Sequence, residues 1–189
     1  MMNYRDYLTS FGIEMTDKDW EIYEPRIFVQ AYKKNDVIIE KGEVENHLSL
    51  ITTGIGRCFL DKKEKEITVN FLFENDYLTS YESFLTREPS QYSIQAMTDM
   101  VLWRATHDSF LHFFEHSSIG NFLGRISAEA LYLSKAGREL SLLTESAEER
   151  YLKLLKTDKN LLQKVPLKYI ASYIGVTPQA LSRIRKRIN

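Results

Sequence analysis

The chain has 189 residues, enough for one large domain or two small ones with a substantial core. Hydrophobic residues make up 43% and charged residues 27%, which excludes a disordered chain, and 25 basic against 26 acidic side chains exclude a uniformly basic protein while leaving room for a local basic patch. The single cysteine, Cys58, excludes an internal disulfide, a thiolate zinc knuckle and a four-cysteine iron–sulfur cluster.

No apolar run is long enough to span a membrane. The start, MMNYRDYLTSFG, lacks a basic stretch followed by an apolar one, so no secretory leader is expected. The expectation is a soluble, cytoplasmic protein without a metal or a bound cofactor.

In chain order, the first predicted elements are two short helices. One covers Tyr4 to Phe11. The second opens at Thr16, with Asp19 three residues on as a weak capping box, and stops at Pro25. Residues 26–105 then carry short β-rich runs: RIFVQAY, DVIIE, HLSLITT, IGRCFL, EITVNFLF, SIQAM and VLWRA. Polar or glycine-bearing segments, among them KKND, KGEVEN, Gly54 and DKKEKE, separate most of them. Strands at this spacing predict a β-sandwich or barrel rather than βαβ units.

Thr106 is a predicted N-cap, with Asp108 well placed in the first helical turn. Beyond it lies a long helix. Ile119, Ile126, Leu133 and Leu140 recur every seven residues, and Leu123, Ala130 and Gly137 form a second row. A strict 3.5-residue period predicts a helix pair and so a homodimer, although a helix packed on its own sheet would share part of the pattern. Ser146 to Glu149 is a capping box opening a further helix, which TDKN ends. The expected organisation is a β-domain with its N-terminal helices over 1–115, a dimerisation helix over 116–143 and a helical unit over 144–189.

Residues 161–189 carry Lys164, Lys168, Arg183, Arg185, Lys186 and Arg187 and no acid, so the rest of the chain holds the acidic excess. A solvated terminal helix would look the same from charge alone. The pattern in PLKYIASYIGVTPQALSRIRKRI says more. A helix over Leu167–Ile174 meets Gly175 at a tight turn. Val176 follows as a core plug, Thr177 as an N-cap and Pro178 at the first helical position. Leu181, Ile184 and Ile188 make the next helix's apolar stripe, and Ala171 is small at the crossing. This is a helix-turn-helix. The opposite face shows Gln179, Ser182 and Arg183, whose amide, hydroxyl and guanidinium groups match base edges in the major groove. Lys168, Thr177, Arg185, Lys186 and Arg187 are suited to phosphates.

On these residues the chain resembles the Crp/Fnr superfamily of bacterial transcription regulators. KKNDVIIEKGE followed by HLSLITTGIGRCFL is similar to that family's strand–Gly–strand–Gly progression, and LLQKVPLKYIASYIGVTPQALSRIRKRI to its DNA-reading unit. The resemblance implies an α+β protein. Its parts would be an N-terminal antiparallel β-roll (a double-stranded β-helix of the cyclic-nucleotide-binding type), a long dimerisation helix and a C-terminal all-α helix-turn-helix. It implies Gln179 and Arg183 as base-reading residues. Its implied partners are double-stranded DNA, a second copy of the chain, RNA polymerase and a small-molecule effector.

Three departures stand out. Pro178 replaces a basic contact residue. The sequence ends at Asn189, where the family continues into a β-hairpin wing, so a truncated wing is expected. The effector region reads DYLTSYESFLTREPSQYSIQAM. Thr79-Ser80 stands in the Gly-Glu place that takes a cyclic nucleotide's ribose, and Ser90-Gln91 in the Arg-Ser place that takes its phosphate. Arg87 is offset. A buried cyclic phosphate needs a fixed cation, so cyclic AMP is not the expected effector. Tyr77, Tyr81, Glu82, Ser90, Gln91 and Tyr92 remain as a candidate pocket, or as groups that fill the cavity themselves.

Other sensors and other classes fare less well. His112 and His116 are spaced to share a metal, but no third ligand is evident. Cys58 reads as a small core residue. A cupin-type enzyme needs several histidines inside the β-region, which holds only His47, and no catalytic loop motif is present. A regulator rather than an enzyme is expected. The alternative is a small-molecule-sensing or protein-interaction module with weakened DNA binding.

Overall fold

In the computed structural model, described for residues 4–10, 12–62, 65–157 and 161–188, two four-stranded antiparallel sheets face each other. The first runs β1 (Ile27–Tyr32), β8 (Met100–Thr106), β3 (His47–Thr53), β6 (Tyr77–Leu78). The second runs β2 (Val37–Ile39), β7 (Ser93–Ala96), β4 (Gly56–Lys62), β5 (Lys65–Leu72). Alternation along the strands sends Ile39, Ile51, Cys58, Leu72, Leu78, Ile94, Met100 and Leu102 into the space between the sheets. Cys58 is a core residue, and burial pushes its thiol up to about 12. At Gly54, φ is +104°, and a Cβ there would lie 2.5 Å from the Asp99 carbonyl oxygen, so only glycine fits this turn.

Helices cover the outer face of each sheet. On the first sheet, Leu50, Tyr77 and Trp103 pack under α1 (Tyr4–Ser10), α2 (Asp17–Tyr23), α4 (His107–His116) and the start of α5 (Gly120–Thr144). Thr16 caps α2 as expected, accepting from the Asp19 N–H at 3.1 Å. Asp19 does more than the capping box implied. Its buried carboxylate accepts from the Ser118 N–H at 2.7 Å and from the Ser118 hydroxyl, tying α2 to the α4–α5 junction. Burial alone would raise its pKa, but hydrogen bonds donated to it by the Thr16 hydroxyl and by Ser118 outweigh that and hold it at about 2.

On the second sheet, Ile55, Phe71 and Met97 share a core with the C-terminal helices α6 (Ala147–Thr157), α7 (Leu161–Lys164), α8 (Leu167–Ile174) and α9 (Pro178–Ile188). The sequence placed the roll and the helical unit at opposite ends of a connecting helix; here one apolar cluster runs through both. The two-residue β6, the short α3 (Tyr81–Thr86) between β6 and β7, and α7 are too brief for a periodicity to reveal. The expected helix end at Phe11, the centre of the DKKEKE turn (63–64), and the TDKN break beyond 157 lie outside the described residues. Ile188, expected in the buried stripe, is 37% exposed as the last residue of α9.

Candidate nucleic-acid interface

Helices α8 and α9 meet at Gly175, whose φ of +81° closes the first helix, its N–H bonding to the Ser172 carbonyl at 3.1 Å. The Thr177 hydroxyl accepts from the Ala180 N–H at 3.2 Å, and Pro178 occupies the first helical position. Ile170, Ala171, Ile174 and Leu181 are completely buried, with Val176 and Ile184 packed beside them. The last carbonyls of α8 are taken by arginines from other helices. Arg150 Nε donates to the Ile174 carbonyl at 2.9 Å, and Arg138 donates to that of Tyr173 while lying 3.8 Å over its ring.

With that stripe buried, Gln179, Arg183 and Lys186 stand exposed on α9. Ser182 is half-buried, and its hydroxyl bonds back to the Pro178 carbonyl at 3.0 Å. Lys168 is exposed, its ammonium 4.7 Å over the Tyr169 ring. Two expected phosphate ligands are engaged within the protein. Arg185 is half-buried and hydrogen-bonds the buried Tyr151 hydroxyl, so it braces α9 against α6. Arg187 pairs with Glu148 on α6. Both lie at the C-terminal end of α9 and reach α6, a contact that spacing along one helix does not reveal.

The outward side of α8 is docked on the roll. The Ser172 hydroxyl accepts from the Thr68 N–H at 3.0 Å and donates to the Glu66 carbonyl at 3.4 Å, standing in for a further strand along edge strand β5. The Arg57 side chain is 0% exposed. Its guanidinium lies 4.2 Å from the Phe59 ring centroid and 3.6 Å from that of Tyr169, and bonds to Glu66 at 2.7 Å and Gln95 at 3.0 Å. Phe71 and Tyr173 meet at 5.2 Å. Arg57 escaped the sequence reading because an arginine inside a strand ordinarily faces water.

The candidate effector pocket is only partly brought together. Ser90 is buried, and its hydroxyl meets that of Ser80 at 2.8 Å. The Tyr92 ring packs on the roll core with its hydroxyl 3.5 Å from the Thr79 carbonyl, and burial pushes that hydroxyl up to about 12. Tyr81 is half-buried at the start of α3, whereas Glu82 and Gln91 are exposed. Tyr77 is on the wrong face. Leu78 points inward, so its neighbour points out, under the N-terminal helices. The offset Arg87 is committed to the Glu45 carbonyl at 2.7 Å and to the Asn46 side chain.

Two buried ionisable groups here were missed. Glu45 is 2% exposed and accepts from the N–H groups of His47 at 2.9 Å and Ser80 at 3.2 Å; burial still raises its pKa above the usual carboxylate range. Arg104, from β8, is 5% exposed and is held by Ser49 at 3.1 Å, by Gln30 at 2.6 Å and by the Tyr32 hydroxyl. The buried cation comes not from residues 79–91 but from a different strand, and it is occupied by the chain's own acceptors.

The predicted dimer seam divides in two. Ile119 and Leu123 pack on the N-terminal cluster, and Ile126 is half-buried, so the first turns of α5 serve their own domain. Further on, Leu133 is 67% and Leu140 60% exposed, joined by Leu143 at 77%, which the seven-residue rows omitted. Ala130 before them and Gly137 between them are exposed, and a Cβ added at Gly137 meets nothing within 4 Å. At Gly124, by contrast, a Cβ would strike the Phe114 ring at 2.4 Å.

Residues 29–117 match the family model described as the cyclic nucleotide-binding domain. FixK2 from Bradyrhizobium japonicum superposes with a TM-score of 0.73 at 16% identity, over 86% of this chain and 84% of that one. The chain shares that fold. CooA from Carboxydothermus hydrogenoformans gives 0.66 at 18% identity over 93% and 86%, and the catabolite activator protein of Thermus thermophilus 0.55 at 21% over 92% and 83%. No curated protein matches the sequence. The Crp/Fnr-type roll, long helix and C-terminal helices follow the expected fold class. No helix among the described residues is long and apolar enough to cross a membrane.

Proposed function

We propose that this protein is a sequence-specific DNA-binding transcription regulator, acting as a homodimer and not gated by cyclic AMP. The observation that carries the reading is the face of α9. Gln179 and Arg183 are exposed on a helix whose opposite side buries Leu181 completely and Ile184 in part, beside an exposed Lys168 and Lys186. Arg183 and Gln179 suit guanine and adenine edges, and the lysines, with Thr177, suit the flanking phosphates.

The exposed Leu133, Leu140 and Leu143 face of α5 supports pairing with a second copy, because an apolar stripe of this length is costly to leave in water. Gly137 supports it too, since nothing in its own chain calls for a small residue there. A two-fold pair would set two α9 helices in successive major grooves, about 34 Å apart.

The cyclic AMP exclusion is supported by the Ser80–Ser90 contact, which joins the two places where ribose and phosphate ligands would stand, and by the commitment of Arg87 elsewhere. A thermal shift of several degrees with cyclic AMP would overturn it.

The experiment is selection of bound duplexes from a random pool by the purified protein, alone and with cell-extract metabolites. A two-fold symmetric motif with half-sites one helical turn apart is expected. No enrichment in either arm refutes DNA reading.

A further inference from the structure

Because α8 is docked on β5, the roll and the DNA-reading unit share a cleft of about 670 Å³. Lys65, Glu66 and Ile67 line it from the roll, and Lys168, Tyr169, Ser172 and Gly175 through Pro178 line it from the helices. Two of these, Lys168 and Thr177, are residues assigned above to DNA phosphates. The chain's own contacts remove the cleft's negative charge, since the Glu66 carboxylate is bound by Arg57 at 2.7 Å. Lys65 and Lys168 are exposed, and no described carboxylate lies within 4 Å of either ammonium. The β4–β5 register sets Lys62 directly opposite Lys65, two like charges at the closed end of a hairpin. Such a pair repels, and an external anion relieves the repulsion.

We infer that the β4–β5 hairpin of the roll is part of the DNA interface: Lys65, with Lys62 beside it, contacts the phosphate backbone next to the strand segment held by Lys168 and Thr177. The inference rests on the DNA-binding reading and adds to it a contact supplied by the sensor domain. It makes affinity depend on the docking of α8 on β5, since undocking would carry the hairpin away from the phosphates while leaving the α9 face intact. The contact carries no base information, so it strengthens binding to every sequence alike.

The test is the salt dependence of affinity for the selected duplex, using the full chain. Each lost phosphate contact lowers the slope of log K against log salt by about 1. Lys65→Ala is expected to lower it by about 1 and the Lys62→Ala/Lys65→Ala double variant by about 2, with the selected motif unchanged. Lys65→Arg should restore the wild-type slope, and Lys18→Ala, on α2, should retain it. Wild-type binding with a steep slope that both alanine variants retain would overturn the hairpin contact and leave the DNA reading standing. Tighter binding by the alanine variants would overturn it as well, showing the hairpin to be an obstacle. A wild-type protein that binds no duplex at all would refute the DNA reading itself, and the inference with it.

Discussion

At the α3 end of the roll, Glu45, Ser80, Ser90 and Arg104 are each at most 5% exposed, and each has a hydrogen-bond partner in the chain itself. On α9, Gln179, Arg183 and Lys186 are exposed. Both regions contain the residue types that bind anions and bases. The difference lies in who satisfies them. A buried polar group left unmatched costs about 1–3 kcal/mol, and these four are matched by groups of the chain itself. An exposed group is satisfied by water, which a ligand can displace. The polar groups best placed to act on another molecule are therefore exposed ones such as those of α9, and those buried at the α3 end serve to hold the roll's shape.

Arg57 lies between these regions, and altering it is the strongest way to break the comparison. Arg57→Ala removes a completely buried guanidinium and leaves space between the Phe59 and Tyr169 rings. Unfolding in urea should show a loss of about 2–4 kcal/mol, below the full cost of breaking a buried pair because Glu66 reaches solvent. An unchanged midpoint would mean that α8 does not rest on β5 in solution.

On the exposed side, Arg183→Ala should leave that midpoint where it is and cost about 1–3 kcal/mol of affinity for the selected site, with specificity relaxed at one position. Unchanged binding would show that the assigned face is not the reading face.

Titration sharpens the buried side. Burial first, and the Arg104 charge second, lower His47 from 6.5 to about 4, outweighing the Glu45 carboxylate 3.9 Å away. The unfolded chain takes up the proton near 6.5, so between these values the unfolded state binds more protons and stability falls as the pH falls. His47 is 30% exposed, which screens the effect to about 1–2 kcal/mol. His47→Gln should flatten the stability curve across that window, and a curve of unchanged slope would place the titration elsewhere.

The smallest effect on the fold is expected at Gly137. Gly137→Ala should stabilise the isolated helix by about 0.5–1 kcal/mol, because nothing in the chain opposes the added methyl. It should nevertheless weaken self-association several-fold in sedimentation, since two α5 helices would be held apart. Stronger association would move the dimer contact off this face.

Much of the C-terminal unit was legible because its constraints are local. Thr177, Pro178 and Gly175 act on backbone within one or two turns, and Leu181 and Ile184 follow from the helical period. The strands other than β6 were legible for the same reason. The α3 end was not. Tyr77 and Gln91 are near the right place in sequence but point elsewhere, and Arg104 reaches the interior from a strand that the 79–91 stretch gives no reason to consult.

Residue order thus suffices for the capped helices, the turns and the apolar periods, because those depend on neighbours within about four positions. Three things were decided in three dimensions: the docking of Ser172 on Thr68, the enclosure of Arg57, and the division of the α5 seam into a covered half and an exposed half. Each depends on which surfaces meet across a hundred residues or more, or on what remains uncovered once they have met, and burial of a surface is a property of the whole packed chain rather than of any segment in it.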